Sequence, residues 1–292
     1  MIVTKLIGGL GNQMFQYAAG RRTAIVNHTE LKLDISGYDY QVGITPRKYM
    51  LDIYNIQASV ATKQEIKLFN NHSKHRIQRN LHRVMVFLLR RHYIRQKTSG
   101  FARGFLTIPD NSYLDGYWGS DKYFKDIEAV IRQDFTFKSS PDLENKKLIA
   151  KIKNSKSISV HIRRGDYVLD KKTNQFHSVC SLKYYQQAVK LITQKVSQPY
   201  FFIFSDDPQW AEKHLNFQQP MQVVKHNYKK NHHEDMRLMA HCQHHIIANS
   251  SFSWWGAWLN SHPDKIVIAP KKWFRDPSIN TKDLLPQSWI KI

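Results

Sequence analysis

The chain has 292 residues, 41% hydrophobic and 12% aromatic, which excludes a disordered chain and leaves room for one large domain or two ordinary ones. Forty-four Lys and Arg against 23 Asp and Glu give a formal charge of +21, so an anionic partner is expected: nucleic acid, a membrane surface or a phosphate-rich small molecule. Cys180 and Cys242 are too few for a disulfide framework, no signal-peptide pattern opens the chain, and the longest apolar run, residues 84–89, is far short of the roughly 20 residues of a membrane span.

The first 34 residues read as strand, glycine loop, helix and strand: β-branched and apolar residues at 2–7, Gly8-Gly9-Leu10-Gly11-Asn12, helix formers over 13–26, and a second strand at 31–34. Residues 74–97 carry eight Lys or Arg and no acidic residue, and Ile77, Leu81, Val84, Met85 and Leu88 recur at helical spacing. That pattern predicts a basic amphipathic helix, packed on its own domain or touching an anionic membrane. Beyond residue 157, strands are predicted at 157–162, 200–204, 221–224, 245–248 and 266–269. Helices fall between them, one capped by Ser181 and one opened by Asp207-Pro208. Strands alternating with helices imply doubly wound parallel sheets, and a boundary near Ser139-Ser140-Pro141 divides the chain into 1–140 and 141–292.

Four segments stand where such sheets bind ligands, beyond the carboxyl ends of strands. GGLGNQMFQYAAG, residues 8–20, permits close backbone approach to a ligand, and Asn12 and Gln13 offer amides to sugar hydroxyls; a plain strand–helix turn is the simpler reading. It lacks the GxGxxG spacing of a dinucleotide fingerprint. His161-Ile162-Arg163-Arg164-Gly165-Asp166-Tyr167 supplies two forked cations for a diphosphate, or else a surface pair with Asp166. Three roles compete for Asp206-Asp207: a metal pair, a reader of base or ribose, and a helix cap. Asn249-Ser250-Ser251-Phe252-Ser253 precedes a helix and can cradle oxyanions; the tryptophans that follow read as core. Histidines 232, 233, 241, 244 and 245 have no recognised zinc spacing.

Together these segments resemble the bacterial form of glycosyltransferase family 11, the α-1,2-fucosyltransferases. GGLGNQMFQYA, HIRRGDY and NSSFSWWGAW look like its three hallmark blocks in order. A fourth segment, residues 113–124, is similar to its GY(F/W)QSxKYF stretch, with Gly119 and Asp121 in place of the usual Gln and Glu. The resemblance implies a GT-B architecture of two Rossmann-like domains facing a cleft: an acceptor side, 1–140, and a donor side, 141–292. It implies inverting transfer of L-fucose from GDP-β-L-fucose to the 2-hydroxyl of a galactose-terminated glycan, with no metal or other cofactor. Arg163 and Arg164, with Asp166 and Asn12, are the implied catalytic residues. His161, Asp206, Asp207, Asn249, Ser250, Ser251, Phe252 and Ser253 are implied on the donor side, and Gln13, Asp115, Tyr117 and Trp118 on the acceptor side. Asp166, His161 and Asp115 are alternatives for a general base. The rival readings are a manganese transferase using Asp206 and Asp207, and a nucleic-acid binder; the sequence carries no nucleic-acid module. The expected location is the cytoplasm, with peripheral contact at the inner membrane face through 74–97.

Overall fold

A computed structural model describes residues 1–39, 46–69, 91–170, 174–175, 178–228 and 231–292. The chain forms two compact units: Met1–Lys138 with Asn280–Leu284, and Ser139–Ile279 with Leu285–Ile292.

The first unit is built on a parallel five-stranded sheet. Its strands are β1 (Ile2–Lys5), β2 (Leu31–Asp34), β3 (Ser59–Val60), β4 (His92–Arg95) and β5 (Ser112–Asp115), in the order β3-β2-β1-β5-β4. The helix Leu10–Val26 follows β1 directly and buries 13 of its 17 residues. It lies so close to the sheet that a Cβ at Gly20 would stand 2.1 Å from Thr4 Oγ1 and 2.9 Å from Leu31 Cδ1. Its polar side is also tied down: Tyr17 donates to Asp134 at 2.6 Å, and Arg21 pairs with the same carboxylate at 3.0 Å. The segment Asn280–Leu284 is fastened here by Asp283, which pairs with Lys122 and accepts from the Phe101 N–H, while Ser120 Oγ donates to the Asp283 carbonyl.

One sequence expectation changes. The helix predicted over 74–97 does not reach its C-terminal end, where His92–Arg95 is a strand paired with Ser112–Asp115. Alternate residues of HYIR are more and less exposed, the period of a strand at the edge of a sheet. Residues 74–90 of that segment lie outside the described residues.

The second unit carries a parallel six-stranded sheet. Its strands are β6 (Lys156–Ile162), β7 (Pro199–Ser205), β8 (Met221–Val223), β9 (His244–Ile246), β10 (Val267–Ala269) and β11 (Ile290–Lys291). The order β11-β10-β9-β6-β7-β8 is the 3-2-1-4-5-6 order of a dinucleotide-binding fold, with β6 central. Ile158, Val160 and Ile162 point to one face, against Tyr185, Ala188 and Ile192 of the helix Leu182–Thr193. Ser181 caps that helix, accepting from the Tyr184 N–H at 3.2 Å. Ser159 and His161 alternate to the other face. There Ser159 bonds His245 Nδ1 at 2.7 Å, and Asn260 meets His245 Nε2 at 2.7 Å. Trp254 and Trp255, in the helix Ser251–Leu259, are fully buried, and Trp258 nearly so. Lys265 closes that helix by donating to the carbonyls of Ala257, Trp258 and Asn260, which satisfies orphan C-terminal acceptors with a cation at the negative end of the helix dipole.

Candidate functional site

The donor-side residues assemble because of strand register. Ile162, the last residue of β6, pairs with Ser205, the last of β7, so Arg163-Arg164 and Asp206-Asp207 leave the sheet side by side. On the other flank of β6, Val160 pairs with Ile246 of β9, which leads into Asn249-Ser250. The gap between β6 and β9 is where the strand order reverses, the usual ligand position in such sheets.

Asp206 organises the arginines. Its Oδ2 lies 2.9 Å from Arg163 Nη1, and its Oδ1 accepts the Arg164 N–H at 2.8 Å. A Cβ at Gly165 would stand 2.7 Å from Asp206 Oδ2, so glycine is what admits the carboxylate. Arg164 lies over the Trp210 ring, 3.9 Å from its centroid, with its Nε 3.5 Å from Asp207 Oδ2. Arg163 lies 5.5 Å from the Tyr167 ring, whose hydroxyl donates to the Asn249 carbonyl at 3.0 Å. Each guanidinium therefore has a carboxylate and an aromatic face to fix its plane while about a fifth of its surface stays exposed (21% for each side chain). The surface pair considered with Asp166 is replaced by one with Asp206; the Asp166 side chain lies outside the described residues.

Asp207 caps the helix Pro208–His214 through Oδ1, which accepts the Trp210 N–H at 3.1 Å, with Pro208 at the first helical position. The Asp206-Asp207 pair thus serves arginines and a helix end. Among the described residues no group of three or more His, Cys, Asp or Glu is placed to hold a metal ion.

Three of the expected donor contacts face inward instead. Asn249 is buried, its amide donating to the carbonyls of Ser178 (2.7 Å) and Trp273 (2.9 Å), so it pins two loops. Ser253 is fully buried and turned back on the Ala248 and Ser250 carbonyls. His161 is buried beside Phe252, its Nδ1 without a hydrogen-bond partner, and burial together with the Arg163 charge lowers its pKa to about 3. It is neutral near pH 7 and a poor general base there. Ser250 caps the helix Ser251–Leu259, accepting the Phe252 N–H at 3.3 Å. Ser251 begins that helix and is half-buried, as is Phe252.

These buried groups make stability pH-dependent. The folded protein keeps His161 neutral to about pH 3, and burial holds His245 well below the usual imidazole value. Unfolded, both take up a proton near 6.5, so the stabilisation is complete above that pH and is lost as pH falls below it. Asp235 opposes this: burial raises its carboxyl to about 7, so its proton favours the fold at acid pH. Urea midpoints are expected to fall from pH 7 to pH 4.5, and to fall more steeply in Asp235→Asn. A flat profile would contradict the buried neutral imidazoles.

In the first unit, Gly8 adopts φ +78°, and a Cβ there would stand 2.5 Å from Asn12 Nδ2. The half-buried Asn12 folds over this turn at the start of the helix Leu10–Val26. Gln13 does not face a ligand: it is fully buried, its amide donating to the Gly8 and Lys48 carbonyls and accepting the Met50 N–H. Trp118 is likewise core, only 2% exposed at φ +51° and packed on Phe105 and Tyr123. Tyr117 is exposed, and Asp115 ends β5 beside Lys5 at 3.3 Å. Trp210 and Tyr167, which flank the arginines, were not singled out by sequence reasoning. Tyr167 sits in the HIRRGDY block, and Trp210 lies three residues after a cap, on the first turn of its helix.

Comparison with known proteins gives the chain a family. The model of the glycosyl transferase family 11 matches residues 1–292. An alpha-1,2-colitosyltransferase of Escherichia coli is 35% identical over 299 residues, covering 100% of this chain and 99% of its own. The galactoside 2-alpha-L-fucosyltransferase SEC1 of Bos taurus is 28% identical over 152 residues, covering 50% of this chain and 41% of its own. Among solved structures, Arabidopsis thaliana FUT1 in complex with GDP shares the fold at TM-score 0.51 and 12% identity, covering 91% of this chain and 69% of that one. With two parallel α/β sheets and a family match along its whole length, the chain belongs to glycosyltransferase family 11.

Proposed function

We propose that the chain transfers L-fucose from GDP-β-L-fucose to the 2-hydroxyl of a terminal galactose, with inversion to an α-1,2 linkage. The observation that carries this reading is the pair Arg163–Arg164, fixed by Asp206, Asp207 and Trp210 at the reversal point of a 3-2-1-4-5-6 sheet. Two planar cations there suit a nucleoside diphosphate whose charge grows as it leaves. The galactose oxygen forms its bond to fucose C1 from the face opposite GDP. The C1–O bond breaks, its electron pair stays with the β-phosphate, and the hydroxyl proton passes to solvent or to Asp166. Arg163 and Arg164 hold the diphosphate, and the first turn of the helix capped by Ser250 adds backbone N–H donors.

A second donor has a specific observation behind it, the 35% identity to a colitosyltransferase. Colitose is fucose without its 3-hydroxyl, so the same diphosphate site serves either. The deciding experiment offers GDP-fucose and GDP-colitose with lactose, N-acetyllactosamine and other galactosides, reading products by mass and NMR. Fucose on galactose O2 is expected, and transfer is expected to persist in EDTA. Transfer from GDP-colitose alone overturns the donor, a product at another hydroxyl overturns the linkage, and loss of activity in EDTA restores the metal-dependent alternative.

A further inference from the structure

The carboxyl edge of the first unit's sheet carries a second polar cluster. Pairing aligns Asp34 with Lys5 and Arg95 with Asp115, and Lys5 Nζ lies 3.3 Å from Asp115 Oδ1. The final residues of β2, β1, β5 and β4 thus form one row, Asp34, Lys5, Asp115, Arg95, of alternating sign and no net charge. Two residues back on the same face, Tyr93 pairs with Tyr113 and the rings stack at 5.1 Å and 12°. Tyr93 donates to Asp115 Oδ2 at 2.6 Å, and the buried Tyr113 donates to Asp34 Oδ2 at 2.5 Å. Asp34 is buried and also accepts the Ser36 N–H, so it closes the row on the β2 side.

Asp115 differs from Asp34 in its surroundings. It stands between β1 and β5, where the strand order of this sheet reverses. Its neighbours are solvent-accessible: the Lys5 side chain is 34% exposed, Tyr93 is 39% exposed and Tyr117 is 52% exposed. Tyr117 is held in place because its N–H and that of Trp118 both donate to Gln96 Oε1, at 2.8 and 3.1 Å. A carboxylate and an ammonium in contact, with the exposed Tyr93 ring bonded to the carboxylate, match the two sides of a sugar: hydroxyls in a plane and an apolar C–H face. The balanced charge suits a neutral ring better than a phosphorylated one.

We propose that Lys5, Asp115, Tyr93 and Tyr117 form the subsite for a neutral pyranose of the acceptor, with Asp115 accepting and Lys5 donating hydrogen bonds to its hydroxyls and Tyr93 lying against its C–H face. This rests on the transferase reading above. Lys5 and Tyr93 carry no signal in the sequence, the one ending an apolar strand and the other lying within a basic run.

Initial rates measured against acceptor and donor separately test it, in Tyr93→Leu, Tyr93→Phe and Asp115→Asn, with GDP affinity by calorimetry and thermal unfolding as controls for the fold. Tyr93→Leu is expected to raise the acceptor KM about 3- to 10-fold, the range of an aromatic contact. Asp115→Asn is expected to raise it about 10- to 100-fold, that of a charged hydrogen bond. Tyr93→Phe, which keeps the ring, should fall between wild type and Tyr93→Leu, and donor KM should stay put in all three. Unmoved acceptor KM in Tyr93→Leu and Asp115→Asn overturns the subsite, as does a parallel rise in donor KM. A wild-type protein inert toward every GDP-sugar instead fails the transferase reading itself.

Discussion

Replacing Arg163 by alanine is expected to lower kcat by about 100- to 1000-fold, the usual cost of removing one donor from a developing oxyanion, while the protein remains folded. The fold survives because Asp206 keeps its bond from the Arg164 N–H, at 2.8 Å, and because the lost ion pair is partly solvated, the two side chains being 21% and 23% exposed. The rate is not expected to survive, because Arg164 is held by the Trp210 ring and Asp207 and cannot swing into the vacated place without losing both. Arg163→Lys is expected to recover only part of the rate, since an ammonium restores charge but not the fork. Steady-state rates with GDP-sugar, alongside thermal unfolding, check the pair of variants. Near-native turnover in Arg163→Ala would remove the residue from the site.

The largest effect on stability is expected from Gly20→Ala. An alanine in the middle of a helix ordinarily gains about 1 kcal/mol over glycine. Here the added methyl would stand 2.1 Å from Thr4 Oγ1 and 3.1 Å from Thr4 Cβ, on the central strand of the first sheet, and 2.9 Å from Leu31 Cδ1. Both neighbours are buried, so the helix Leu10–Val26 has to lift from the sheet, at an overpacking cost of about 1–3 kcal/mol or more. The net result is a lower urea midpoint, together with lower activity, because the same helix carries the Gly8–Asn12 turn at its start. Combining Gly20→Ala with Thr4→Ala should recover part of the loss, a positive coupling between touching residues. A stabilised Gly20→Ala would contradict the close approach.

Much of the second unit was readable from the sequence. Its two longest strands are buried on both faces, β7 as the apolar run YFFIF and β6 with Ile158, Val160 and Ile162 at alternate positions, and each ends at a polar segment that breaks the pattern, as at Ile162–Arg163 and Ser205–Asp206. Ser181 and Asp207 announce helix starts by chemistry that needs only local contacts. The first unit is harder for physical reasons. Ser112–Asp115, which reads SYLD, is a strand of four residues with two polar ends, and it is fixed by partners on both sides rather than by its own pattern. His92–Arg95 sits inside a basic stretch whose helical spacing extends past the true boundary. Site residues divide in the same way. A motif shows which residue types occur together, but not which way each turns. Arg163 and Arg164 face outward, while Gln13, Trp118, Asn249 and Ser253 in equally distinctive segments are turned inward to hold backbone or core. The carboxylate that partners the arginines, Asp206, lies 43 and 42 positions away from them, and only strand register brings it there.

The short segment Asn280–Leu284 belongs to the first unit although the chain on both sides of it belongs to the second. The polypeptide therefore passes between units three times, and the halves are not separable modules. A gene divided after Lys138 would give a first half without Asp283, leaving Lys122 and the Phe101 N–H without the carboxylate that ties them. A second half taken from Ser139 would keep β11 on the edge of its sheet but carry a five-residue insert with nothing of its own to fold against. Chimaeras made by exchanging whole units between members of the family would have to carry this insert with the first unit, as a graft of its own near the tail of the second.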